Sequence, residues 1–296
     1  MNGKQNTLIH WFPGHMTKSL REMQESLPLV DILLYVLDSR AALSCLNPSF
    51  ENLVANKPVV FVLNKADLVP DNTVNKFIAK LSSDKTAAVV VNATASKGAN
   101  SILPLVDKLT KAKREKYENK GVKVPIRGMV IGVPNSGKST LINSLANKAK
   151  TITGNRPGVT RGKQWVRVNE YFELLDTPGT LYPKLTDQRV AKNLAYIGSI
   201  KDSITDITDL AASLIWDLAI IAPIAILERY DIIASDVLKK FEPISSECRP
   251  PAELALEKIA KSRGLIVRGG VADIDKAAVA LLDDFRKGRL GKIALD

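Results

Sequence analysis

The chain has 296 residues, 45% hydrophobic and 25% charged, with a formal net charge of +11 and two cysteines. That length leaves room for about two domains with ample core, and the balance excludes a disordered or fibrous chain. Cys45 and Cys248 lie far apart with no metal-ligand spacing, which excludes a cysteine-based metal centre and fits a reducing compartment.

The opening stretch MNGKQNTLIHWFPGHM has no continuous apolar run and does not read as a secretory signal, so a cytoplasmic location is expected. LPLVDILLYVLDSR (27–40) reads as a helix end followed by a buried strand. KPVVFVLNKADL (57–68) and AAVVVNATASKG (87–98) are further apolar runs that end in polar residues. SILPLVDKLTKAKREKYENK (101–120) has helical spacing and becomes highly charged towards a linker. IRGMVIGVPNSGKSTLINSLANK (126–148) reads as strand, Gly-rich loop and helix, and EYFELLDTPGT (170–180) as a strand ending in a loop. This alternation predicts an α/β domain over residues 1–183: a mostly parallel sheet with helices on both faces. Ligands of such sheets bind at the carboxyl ends of the strands.

An all-helical domain is expected over 184–296, where Asp or Pro starts the helical stretches and Gly follows them. LAASLIWDLAIIAPIAIL (210–227) is nearly all apolar but carries Asp217 and Pro223. A mid-bilayer Asp costs about 3 kcal/mol, so the segment reads as a buried helix interrupted at Pro223, and no membrane partner is expected.

The charge is uneven. Residues 1–200 carry 28 Lys/Arg against 15 Asp/Glu, and residues 201–296 carry 14 against 16. From Lys138 to Arg167 there are seven basic residues and no acidic one. This pattern fits a polyanion partner or a solvated basic surface equally well.

GVPNSGKS (132–139) matches G-x-x-x-x-G-K-[ST] between a strand and a helix. In such a loop, glycines turn backbone N–H groups towards phosphate, Lys138 reaches the β- and γ-phosphates, and Ser139 ligates Mg²⁺. Asn135, Ser136, Gly137 and Thr140 complete the cradle. In LLDTPGT, Asp176 can hold Mg²⁺ and Gly179 can offer its N–H to the γ-phosphate. In NKAD, Asp67 can accept from guanine N1–H and N2–H₂, a donor pair adenine lacks. Asn64 would hold the loop and guanine's other edge, and Lys65 would lie along the ring. Asn92 and Ala93 open a further base loop, with the Ala93 N–H aimed at guanine O6. Thr160, in the basic NRPGVTRGK, could give Mg²⁺ a second hydroxyl in the triphosphate state.

These are the parts of a GTPase in an unusual order. The base loops come first, then the phosphate loop, then Thr160 and D-x-x-G. A circular permutation produces that order and keeps every motif on one rim. It also runs the D-x-x-G loop almost directly into the helical domain, so nucleotide state could reorient that domain.

With HWFPGHM at the start, DSRAALSCLNP after the first strand, the permuted order and the tail KSRGLIVRGGVADIDKAAVALLDDFRKGRLGKI, the whole chain resembles the circularly permuted GTPases of ribosome assembly. The resemblance implies GTP hydrolysis linked to maturation of the large ribosomal subunit, and a C-terminal domain that binds its rRNA. The expected partners are thus a large-subunit precursor and its rRNA, not DNA, with the chain a monomer. Lys261, Arg263, Arg268 and Arg289 are the expected RNA contacts. DSRAAL stands where the family often has D-A-R-x-P, and Thr180 where it often has an apolar residue.

In many GTPases a Gln after D-x-x-G orients the attacking water, and Thr180 is too short for that. The resemblance puts a candidate catalytic imidazole at His15; the alternative is that Trp11 and Phe12 make this a docking loop. Asn135 matches an Asn that accompanies K⁺ binding in related GTPases, or simply fits the turn. The missing Gln keeps a second function open, an RNA-binding assembly factor ordered by GTP with little catalysis of its own. The NKAD loop disfavours a nucleoside-phosphate kinase.

Overall fold

The computed structural model describes residues 14–95, 99–122, 124–146, 165–181, 185–239 and 250–296, with side chains from Met16 onward. These residues fall into two compact units, one of residues 14–181 and one of Leu185–Leu295.

The first unit is built on six strands: β1 (Ile32–Asp38), β2 (Val59–Asn64), β3 (Thr86–Val91), β4 (Ile126–Ile131), β5 (Trp165–Asn169) and β6 (Phe172–Leu175). Their order across the sheet is β3-β2-β1-β4-β6-β5. All neighbours run parallel except β5, which pairs antiparallel with β6. β1 and β2 are buried along their whole length, as their unbroken apolar runs require of a sheet covered on both faces. Successive side chains alternate between faces. Leu34, Val36, Val60, Val62 and Val130 pack with Ile102 and Val106 of α4 (Ile102–Glu118) and Leu141 and Ile142 of α5 (Lys138–Ala146). On the other face, Tyr35 meets Phe50 and Phe61 at ring separations of 5.5 and 5.6 Å. This unit also holds α1 (Gly14–Ser26), α2 (Glu51–Val54) and α3 (Asp71–Leu81).

The strand β5 was not legible as an element. Its Trp-Val-Arg-Val run alternates as a half-buried strand should, but it follows a basic Gly/Pro-rich stretch whose charge dominates.

The second unit contains α6 (Gln188–Tyr196), α7 (Ile207–Ile221), α8 (Pro223–Tyr230), α9 (Ala234–Val237), α10 (Pro251–Ser262) and α11 (Ile274–Arg286). The Asp side chains predicted to start helices do so: Asp206 accepts from the N–H groups of Thr208 and Asp209, and Asp273 from that of Lys276. Pro223 ends the apolar run as a single helix, because α7 and α8 are bent by 117° there. The expectation of a buried helix needs correcting in part. Leu214, Ile215 and Leu218 are buried, whereas Trp216, Ile220 and Ile224 are exposed. Among the described residues, no single helix is long and apolar enough to cross a membrane.

Among the described residues, the core of this unit encloses one carboxylate. Asp284 is fully buried and accepts from Arg229 Nε at 2.9 Å, Tyr230 OH at 2.8 Å, Arg289 NH1 at 2.8 Å, and Arg263 NH2. Burial acts to raise its pKa, but the bonds from Arg229, Arg289 and Tyr230 outweigh this and hold it at about 2.

Candidate guanine-nucleotide site

In β1 and β2 the partners at the carboxyl end are Asp38 and Asn64, and β4 runs parallel beside β1. The chain therefore leaves these three strands on one rim, with β6 parallel beside β4. The phosphate loop leaves β4 and enters α5 at Lys138. The first N–H groups of a helix have no partners within it, so α5 presents donors and a partial positive charge to an anion.

Two glycines let the loops approach. Gly137 has φ +98°, and a Cβ there would lie 2.1 Å from Asn64 Nδ2. A Cβ on Gly179 would lie 2.6 Å from Pro134 Cα and 2.8 Å from Lys138 Nζ. Any side chain at 179 would push the D-x-x-G loop off the phosphate loop. Between the two loops is a cleft of about 700 Å³ lined by Pro134, Asn135, Lys138, Ser139, Asp176 and Gly179. Its volume lies within the range of small-ligand sites.

Lys138 is buried and donates to the Val133 carbonyl at 2.8 Å. Burial pushes its ammonium down to about 8, against the opposing influence of Asp176. Ser139 Oγ donates to Asp176 Oδ2 at 3.5 Å, and both residues are exposed to the cleft. A hydroxyl and a carboxylate at this spacing fit Mg²⁺, which takes few protein ligands and completes its shell with water and phosphate. Thr140 is exposed in the first turn of α5, and Ser136 is buried with its hydroxyl on the Val133 carbonyl at 3.0 Å. Asn135 is exposed and left-handed, at φ 59°.

The loop after β2 is bonded to this cradle. Asn64 Nδ2 donates to the Ser136 carbonyl at 2.8 Å, and Asn64 Oδ1 accepts from the Ala93 N–H at 3.1 Å. Both ends of the Asn64 amide thus hold loops, and the Ala93 N–H assigned to guanine O6 is engaged with Asn64 here. Asn92 is also turned inward on its own loop, its Oδ1 accepting from the Thr94 N–H at 3.0 Å. Lys65 donates to Asp38 Oδ2 at 2.8 Å and to the Asn135 carbonyl at 3.0 Å. Asp67 is exposed in the 3₁₀ turn that follows.

Thr180 is fully buried, with its N–H on the Gly132 carbonyl and its Oγ1 on the Pro178 carbonyl. Its carbonyl accepts from Asn47 Nδ2 at 3.3 Å. Besides being too short, then, it is packed away from the cleft. Leu181 N–H meets the sulfur of Met16 at 3.3 Å, so the start of α1 lies against the loop that follows Gly179. The His15 side chain, Thr160 and residues 96–98 and 182–184 lie outside the described residues.

In the helical unit, three of the four expected RNA-contacting cations are bonded internally. Arg263 and Arg289 bond Asp284, and Lys261 pairs with Glu257 at 2.6 Å. Among the described residues Arg268 is the one of the four with no carboxylate partner; it stands exposed in a hairpin whose rungs include Ile266 and Ala272. The Lys261–Glu257 pair is an i, i+4 pair on α10 and so visible in the sequence, whereas nothing local shows that Arg263 and Arg289 converge on Asp284 of α11.

A family profile described as a 50S ribosome-binding GTPase matches residues 127–236. Ribosome biogenesis GTPase A of Bacillus cereus is 38% identical over 292 residues, 98% of this chain and 94% of that protein. Mitochondrial ribosome-associated GTPase 1 of Bos taurus is 35% identical over 308 residues, covering 98% and 89% of the two chains. The crystal structure of GNP-bound YlqF from T. maritima superposes with a TM-score of 0.61 at 24% identity, covering 94% of this chain and 97% of that one. A GDP-bound YlqF structure gives 0.65 at 22% identity, covering 93% and 98%. At these identities the two structures speak for the fold alone.

Proposed function

The chain belongs to the ribosome biogenesis GTPase A family, is a GTPase of ribosome assembly, and we propose that it hydrolyses GTP to time a late step in building the large ribosomal subunit. The observation that carries the reading is the convergence of Lys138, Ser139, Asp176 and Gly179 on one cleft, with the N-K-x-D loop bonded to its wall through Asn64.

The N–H groups at the start of α5 and the Lys138 ammonium bind the phosphates. To do so, Lys138 exchanges the Val133 carbonyl for phosphate oxygens. Mg²⁺, held by Ser139 and Asp176, would offset phosphate charge as it spreads in the transition state. Gly179 offers its N–H to the γ-phosphate, and Asp67 selects guanine. No side chain at 180 orients water, so hydrolysis depends on a group brought in from elsewhere. We assign that to His15. The contact of Met16 with Leu181 supports this, because it ties the start of α1 to the γ-phosphate side of the site. The large subunit or its rRNA, pressing on the opening loop, would switch turnover on. A K⁺ ion beside Asn135 would add transition-state charge, and the chain would act as a cytoplasmic monomer.

Multiple-turnover phosphate release, with and without purified large subunits, tests this reading. Expected are a low basal rate and strong stimulation by subunits. Sedimentation with subunits should show binding with a non-hydrolysable GTP analogue and release with GDP. GTP-dependent binding without stimulated turnover would favour the alternative, an RNA-binding assembly factor ordered by GTP.

A further inference from the structure

Asp38 and Arg40 carry no function assigned so far, yet they are the most deeply buried charges beside the nucleotide site. Asp38 is fully buried at the end of β1, and Arg40 is 2% exposed. Arg40 grips the carboxylate with Nε at 3.0 Å and NH2 at 2.7 Å, and its backbone N–H adds a third bond at 3.1 Å. The remaining approach to Oδ2 is taken by the Lys65 ammonium at 2.8 Å. The same ammonium donates to the Asn135 carbonyl of the phosphate loop. Ser39 adds a parallel tie, its hydroxyl donating to the Asn64 carbonyl at 2.7 Å.

Lys65 is one of three described non-glycine residues with positive φ, at 58°. A left-handed lysine persists only where its surroundings over-determine it. A buried ion pair is poor support for stability, because desolvating both charges offsets most of their attraction. Here the geometry does something more specific. It fixes the one lysine whose backbone turn sets where Asp67, two residues on, projects.

We propose that Asp38 and Arg40 are positioning residues for guanine selection, holding Lys65 so that Asp67 and the phosphate loop keep one register. The inference rests on the assignment of Asp67 to guanine. Arg40 orients Asp38, Asp38 anchors Lys65, and Lys65 spans to Asn135. Neither Asp38 nor Arg40 need touch the nucleotide.

A double-mutant cycle on the full chain tests it, with affinities for GDP and for inosine diphosphate, which lacks the guanine 2-amino group. Asp67→Asn alone should weaken GDP binding about 10- to 100-fold, the range of hydrogen bonds to a charged group. Unchanged GDP affinity in that variant would sink the base assignment itself. Asp38→Asn should cost a similar factor and shrink the preference for GDP over inosine diphosphate. Combining the two should weaken GDP binding little beyond the larger single loss, because both act through one loop. Losses that multiply, with the preference intact in Asp38→Asn, would overturn the proposal and leave Asp38 a fold-stabilising residue. If Asp38→Asn does not fold, Arg40→Lys decides. It keeps a cation but loses the two-pronged grip, so the preference should fall while the melting temperature of the nucleotide-free protein holds. A full preference in Arg40→Lys would overturn the proposal equally.

Discussion

Asn64 Nδ2 lies 2.8 Å from the Ser136 carbonyl and joins two loops 72 residues apart in the chain. Its Oδ1 reaches Ala93 in a third loop, so one buried amide locks three segments of the rim. Asn64→Ala would leave two buried backbone groups without partners, each costing about 1–3 kcal/mol. Both the melting temperature and GDP affinity should drop. Loss of affinity with an unchanged melting temperature would instead mean that Asn64 contacts the base.

Asp67→Asn places an amide donor against guanine N1–H. GTP affinity should fall by about 2 kcal/mol or more, while xanthosine triphosphate, whose C2 carries oxygen, gains relative affinity. Competition binding with the two nucleotides reads this out directly.

Lys138 gives the nucleotide affinity a pH dependence of known sign. With burial holding its pKa down to about 8, Lys138 in the free protein is half deprotonated near pH 8 and largely neutral above pH 9. Bound phosphate favours the charged form, so binding takes up a proton and GTP affinity should decline between pH 8 and 9.5. Lys138→Ala should bind weakly, turn over almost no GTP and show a flatter profile. Stability runs the other way. The unfolded lysine titrates near 10.4, so between pH 8 and about 10.4 the unfolded state holds more protons and the nucleotide-free protein gains stability as pH rises. Calorimetric melting of wild type and Lys138→Met across that window checks the sign.

His15→Ala should leave GTP affinity and subunit binding nearly intact. Subunit-stimulated turnover should fall by a factor of about 10² to 10⁴, the span expected for a positioned acid–base group. The basal rate should change much less. If binding and turnover fall together, the opening loop docks rather than catalyses.

Asp284→Ala would strand the cluster of Arg229, Arg263 and Arg289 in the helical unit. Breaking a buried pair from one side costs about 3–5 kcal/mol, with the partly exposed arginine heads recovering some of it in water. The melting transition should drop accordingly. RNA affinity should retain a shallower salt dependence than the basic tail suggests, since Arg263 and Arg289 already serve Asp284 and each phosphate contact contributes a slope of about −0.7 to −0.9.

The motif residues and their strands could be read from the chain because each obeys a local rule. A strand must precede a phosphate loop, glycine must stand where backbones meet, and Asp or Pro must open a helix. Even the permutation was legible, since motif order is a property of the chain alone. Partners were not. Nothing in the sequence announces that Asn64 uses its amide on Ser136 and Ala93, that Lys65 rests on Asp38, or that Thr180 is sealed beneath the rim. Nor does it show that Arg263 and Arg289 both serve the buried Asp284. Each of these depends on which distant segment the sheet order, or in the second unit the packing of the helices, brings alongside. Hydrogen bonds and ion pairs act over a few ångströms, and only the folded chain sets those distances.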